Sequence, residues 1–135
     1  MPAWQGKRVM WEITGVAVGG ALGALARYGV ITLAAAWWGK GFPWGVLIAN
    51  LSGSFLIGVL GMLFLERAWL SEAWRVPFLV GVLGAFTTFS AFSWDTLTLF
   101  QNGAMIRAVL NVVANVVFCL LAAWCGMVFA RTLLT

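Results

Sequence analysis

Residues 81–93 read GVLGAFTTFSAFS: two glycines, hydroxyls at Thr87, Thr88, Ser90 and Ser93, and phenylalanines at 86, 89 and 92, all in a stretch apolar enough for a bilayer. Glycine weakens a helix, and serine and threonine compete for its backbone groups. This composition predicts a bend or break within residues 84–88, with an intact glycine-rich helix as the alternative. Carbonyls freed by a break are tolerated in a membrane only where protein, water or an ion satisfies them. Carbonyls meeting from two such breaks suit a small, hard cation. Phe86, Phe89 and Phe92 are expected on one face of the helix after the break. Packing accounts for that spacing, but the electropositive edges of aromatic rings also help to hold an anion. An isolated ion in a low-dielectric medium loses tens of kcal/mol of solvation, whereas an aromatic contact is worth about one. The rings therefore need hydroxyl or amide donors beside them.

The candidate donors are Thr87, Thr88, Ser90, Ser93, Asn50 and Asn115. Asn50 lies in the first third of the second apolar segment, where a carboxamide either bridges helices or lines an ion path. Asn111 and Asn115 stand at i, i+4 in the fourth segment, with Cys119 one turn further along the same face. Arg27 is the one formal charge well inside a span. At about 2.5–3.5 kcal/mol for insertion at the bilayer centre, it must face protein or water. It either snorkels or binds freed carbonyls, or else its charge attracts an anion.

These residues sit on four apolar segments, roughly 11–38, 44–65, 76–100 and 104–130, each reaching the ~20 residues a hydrocarbon core requires. With 63% hydrophobic and 9% charged residues, against about a quarter charged in soluble domains, the chain reads as one all-α transmembrane domain over residues 1–135. The basic residues behind its net charge of +4 lie mostly at segment ends, where anchoring and topology explain them, so nucleic acid is not implied. Trp37, Trp38, Trp44, Trp69 and Trp74 mark the interfaces. Lys7, Arg8, Arg67, Arg75 and Arg131 fall on one side, Lys40 and Arg107 on the other. The bias places both termini in the cytoplasm, weakly enough to leave room for insertion in both orientations. The first segment is too long, and too charged at Arg27, for a cleaved signal peptide.

Gly15, Gly19 and Gly23 recur at spacing four and permit close backbone approach, either within the chain or in a dimer. Cys119 and Cys125, six apart, suit neither a disulfide nor a metal pair and read as packing residues. With no histidine and no cluster of carboxylates, an enzyme is not expected.

Across nearly its whole length the sequence resembles the Fluc (CrcB) fluoride channels. The resemblance is carried by Gly23-Ala24-Leu25-Ala26-Arg27-Tyr28, by residues 45–54 with Asn50, and above all by Gly84-Ala85-Phe86-Thr87-Thr88-Phe89-Ser90-Ala91-Phe92. It implies an antiparallel, dual-topology homodimer in the bacterial inner membrane, with two fluoride pores and a structural Na+ at the centre. Backbone carbonyls of Gly84 and Thr87 from both subunits would hold the sodium. Phe89 and Phe92 would line the pores with Asn50 near them, and a polar track would fall on Asn111, Asn115 and Cys119. The track departs from the hydroxyl-bearing residues of the family, and Ala85 replaces a common glycine. The implied function is passive export of fluoride that enters as HF and ionises in the cytoplasm. Two rivals remain: a small dual-topology multidrug exporter, for which Glu12 and Asp95 lie poorly, and a non-transporting scaffold, which leaves the TTFS cluster unexplained.

Overall fold

The computed structural model describes residues 3–66 and 71–134; Arg67 and Trp69, assigned above to loop charge and interface, lie outside the described residues. The described residues are helical with short connectors and form four spans, Gly6–Trp38, Trp44–Leu65, Glu72–Gln101 and Met105–Leu133, each long and apolar enough to cross a bilayer. The chain is a multi-pass membrane protein. The first helix, Ala3–Trp38, begins eight residues before the expected start at 11. At about 1.5 Å per residue it exceeds the ~30 Å hydrocarbon thickness and extends beyond it.

Glycines end two of the helices. Gly39 adopts φ +74 and donates its N–H to the Ala35 carbonyl at 3.0 Å, closing the first helix before the second, Trp44–Glu66. Gly103, at φ +75, bonds to the Phe100 carbonyl while Ala104 bonds to that of Leu99. Those two bonds make a Schellman stop, which only a residue tolerant of the left-handed region completes without strain.

The third span consists of two arms. Ser71 caps the first by accepting from the Ala73 N–H, and the helix runs through Glu72–Val76, a wide i→i+5 section Pro77–Leu83, and Gly84–Phe86. Pro77 has no N–H to give the Ala73 carbonyl four residues back. The Trp11 indole N–H takes that place at 2.9 Å, tying the first helix to the third span. Thr87 and Thr88 are then extended, at φ −81, ψ 156 and φ −154, ψ 119, before the second arm Phe89–Gln101. The expected break thus falls at Thr87 and Thr88. The fourth helix is continuous through Met105–Val113, a wide section Ala114–Phe118, and Cys119–Leu134.

The break lets the third span change partners: its first arm packs on the first helix, its second on Met105–Val113, and the second helix touches both. The glycine stripe serves this packing within the chain. A Cβ on Gly15 would strike Pro77, and one on Gly23 the Val82 carbonyl, while Gly58 and Gly126 bring the second and fourth helices together at Ala123 and Phe55. The contrast between Gly19 and Gly20 tests the point. A Cβ on Gly19 would lie 2.8 Å from the Pro77 carbonyl oxygen, whereas one on Gly20 meets nothing within 4 Å. Gly19→Ala is expected to destabilise by about 1–3 kcal/mol, and Gly20→Ala to be neutral or stabilising by up to about 1 kcal/mol. Thermal melts in detergent, followed by tryptophan fluorescence, check both.

Candidate functional site

At the break the Thr88 N–H loses its helical acceptor, and a side chain from the second helix grips the Thr88 peptide at both its N–H and its carbonyl. Asn50 Oδ1 accepts the Thr88 N–H at 2.7 Å, and Asn50 Nδ2 donates to the Thr88 carbonyl at 3.1 Å. This two-point grip is what a neighbouring strand offers in a β-ladder, supplied here by one carboxamide. The Thr88 hydroxyl accepts the Ala91 N–H at 3.1 Å and so caps the second arm. Thr87 turns inward, its N–H and its hydroxyl both donating to the Leu83 carbonyl at 2.9 Å.

From Asn50 the network continues into the fourth helix. Asn50 Nδ2 also donates to Asn115 Oδ1 at 2.9 Å, and Asn115 Nδ2 donates to the Asn111 carbonyl and Oδ1 at 3.1 and 3.0 Å. Asn111 Nδ2 reaches Thr96 Oγ1 at 2.9 Å, and the Thr96 hydroxyl donates to the Phe92 carbonyl at 2.7 Å. One polar chain thus links the break, the second helix, the fourth helix and the second arm. Asn111 is 0% exposed, and Thr88 and Asn115 are buried as well. Buried polar groups in an apolar medium are tolerated when each is paired, and among the described residues no buried side-chain donor or acceptor lacks a partner.

Beside this network lies a groove of about 440 Å³, bounded by Asn50, Thr88, Phe89, Phe92, Asn115 and Cys119, and among the described residues no charged side chain lines it. The Phe89 and Phe92 ring centroids stand 5.2 Å apart at an interplanar angle of 54°. Phe92 is buried at 7% exposure, whereas Phe89 is 77% exposed. Phe86 does not share their face. It ends the first arm and packs near Gly53, because the extended Thr87 and Thr88 interrupt the helical spacing that would align it.

Counting donors sharpens the roles. An asparagine carboxamide has two N–H donors, and those of Asn50 and Asn115 each have two acceptors within the protein. The asparagines therefore frame the groove instead of facing it with free donors. Thr88 Oγ1 and Ser90 Oγ lie 3.1 Å apart and share one hydrogen bond, which leaves one of the two hydroxyl hydrogens unused. Ser93 donates its hydroxyl to the Phe89 carbonyl at 2.9 Å. With Ser90 as the donor of that bond the unused O–H is that of Thr88, which lines the groove.

The expected residues are brought together unevenly. Asn50, Thr88, Phe89, Phe92 and Asn115 border the groove, while Asn111 stands behind it as a support. Cys119 lines the groove, whereas Cys125 is exposed and both are free thiols, so only the first fits the packing role. Arg27 is half-buried outside the groove lining, one turn beyond Gly23, where the first helix meets the third span. Thr96 and Trp11 escaped the sequence reading. Their signals were a hydroxyl four residues after Phe92 and a proline that must free the Ala73 carbonyl.

A family model described as CrcB-like protein, Camphor Resistance (CrcB), matches residues 14–127. The chain belongs to the CrcB family. Among curated CrcB relatives, a protein of Magnetococcus marinus named fluoride-specific ion channel FluC is 50% identical over 120 residues, covering 89% of this chain and 98% of that one. A Geobacter sulfurreducens protein of the same name is 43% identical over 128 residues, 92% of this chain and all of its own length. A third, from Methylococcus capsulatus, is 50% identical over 118 residues, and there the chain spans about half (52%) of the relative. The resemblance read from the sequence is borne out, and these CrcB relatives bear the name of a channel, not of an enzyme.

Proposed function

We propose that this chain is the subunit of a fluoride-selective channel through which fluoride leaves the cytoplasm passively, lowering its toxicity. The observation that carries the reading is the groove at the break, where the Thr88 hydroxyl and two phenylalanine rings stand in an uncharged apolar site. Fluoride is small and accepts hydrogen bonds strongly, so a hydroxyl donor and electropositive ring edges replace part of its hydration. The membrane potential, worth about 2.3 kcal/mol per charge at 100 mV, drives the anion outward without coupling. The absence of a carboxylate from the lining disfavours a proton-coupled cation exporter. Glu12 is ion-paired with Arg8 at 3.0 Å, and Asp95 lines a different cavity.

A second, antiparallel copy completes the pore in this reading. What supports it is the open groove and Phe89, a large ring left exposed at its border. The same dimer would hold a sodium ion on the Gly84 and Thr87 carbonyls. The Thr88 N–H that a continuous helix would send to the Gly84 carbonyl goes to Asn50. The Ala91 N–H that would serve the Thr87 carbonyl goes to the Thr88 hydroxyl. Two carbonyls underfill the shell of a hard cation, whereas two copies of the chain double them. The membrane in question is the bacterial inner membrane, with the chain inserted in both orientations.

Phe89→Ile is expected to lower fluoride flux about fivefold, the factor for a ring contact of ~1 kcal/mol, while leaving the melt of the subunit unchanged because the ring is exposed. Fluoride-electrode traces beside melting curves separate the two effects. The proposed function is tested in a bacterial strain that lacks its own fluoride exporter. Expression of this chain restores growth at elevated fluoride, and no rescue by verified membrane-inserted protein contradicts the proposal. Cysteines placed at each terminus, in a Cys119→Ser, Cys125→Ser background, are expected to label from both faces of the membrane. One-sided labelling defeats dual topology.

A further inference from the structure

We propose that a second groove, between the start of the second helix and the fourth helix, binds an anionic phospholipid, its phosphate on Arg107 and one acyl chain along the fourth helix. The groove has a volume of about 630 Å³ and turns from a polar mouth at Gly41 and Arg107 to an apolar floor at Leu110, Ala114 and Phe118. Arg107 is exposed, and its Nη1 donates to the Gly41 carbonyl at 3.1 Å. That bond fixes the guanidinium at the mouth and leaves most of its five N–H donors for an anion, a geometry suited to phosphate. Among the described residues no acidic side chain lines the groove.

Depth and flanks identify the occupant. From Arg107 to Phe118 the helix rises about 16 Å, close to the ~15 Å of hydrocarbon in one leaflet. Trp38 and Trp44 stand at the mouth, both exposed, where interfacial tryptophans mark headgroup level. A charge at headgroup depth above one leaflet's length of apolar floor matches a single lipid molecule. Ala114 and Phe118 each stand one residue before Asn115 and Cys119 of the hydroxyl groove, about a quarter turn around the fourth helix, so the two grooves open on adjoining faces.

The test uses the full chain in nanodiscs containing phosphatidylglycerol with a photoreactive group midway along one acyl chain, and adducts are mapped by mass spectrometry. Labelling is expected at Leu110, Val113 and Phe118, and to fall about fivefold in Arg107→Gln, the factor for one basic residue at an anionic surface. Leu110→Trp, which fills the floor, should reduce it while Arg107 remains. Arg75→Gln, an exposed basic residue elsewhere, should leave it unchanged. Equal labelling by the phosphatidylcholine analogue, an equal loss in Arg75→Gln, or cross-links from a second copy at these positions in place of lipid would overturn the proposal. The readout does not depend on fluoride conduction, so it stands or falls separately from the channel function.

Discussion

Asn50→Leu is expected to abolish fluoride conduction and to destabilise the subunit by on the order of 3 kcal/mol. The substitution keeps the size and removes three hydrogen bonds at once, two to the Thr88 peptide and one to Asn115. Interhelical side-chain bonds in membranes average only about 0.6 kcal/mol, so the Asn115 link alone would matter little. The Thr88 N–H decides the outcome, because a buried N–H left without an acceptor costs roughly 1–3 kcal/mol. Against a total stability of about 5–15 kcal/mol this is a large fraction. The Thr88 hydroxyl and the Phe89 ring are both placed through that peptide, so conduction fails with the break. Tryptophan-fluorescence melts report the first effect and fluoride-electrode traces the second.

Thr88→Val is expected to cut flux by about 10- to 100-fold, the range for losing a hydrogen bond to a charged group at ~1.5–3 kcal/mol. Its shape is nearly unchanged, so the groove keeps its volume while the hydroxyl disappears. The lost cap on the second arm adds about 0.5–2 kcal/mol of destabilisation. Thr88→Ser restores the hydroxyl and separates the two contributions: flux near the wild-type value assigns the loss to the missing donor. If valine and serine conduct alike, the hydroxyl has no part in the anion path. Rates measured in the same vesicle batch, normalised to folded protein, make the comparison.

The break was legible because glycines and adjacent threonines in an apolar run conflict with a continuous helix, and extended backbone appears at Thr87 and Thr88. The four spans were legible from hydropathy, which in a membrane depends on length and charge more than on packing. What pairs with what was not. A glycine stripe permits close approach without naming the partner, and Gly15, Gly19 and Gly23 turn out to receive the first arm of their own chain's third span. The i, i+4 spacing placed Asn111 and Asn115 on one face, but spacing cannot distinguish a side chain that lines a path from one committed to Thr96. Phe86 failed for a related reason: periodicity assumes one helix, and a break resets its phase.

The central claim is that this chain conducts fluoride. It is tested most directly with purified protein in liposomes loaded with potassium fluoride, using valinomycin to start efflux and an electrode to follow it. Rapid fluoride release is expected, with near-background release from Asn50→Leu vesicles and no comparable release when chloride replaces fluoride. Vesicles shown to hold folded wild-type protein that release no fluoride, or release chloride equally fast, would contradict it.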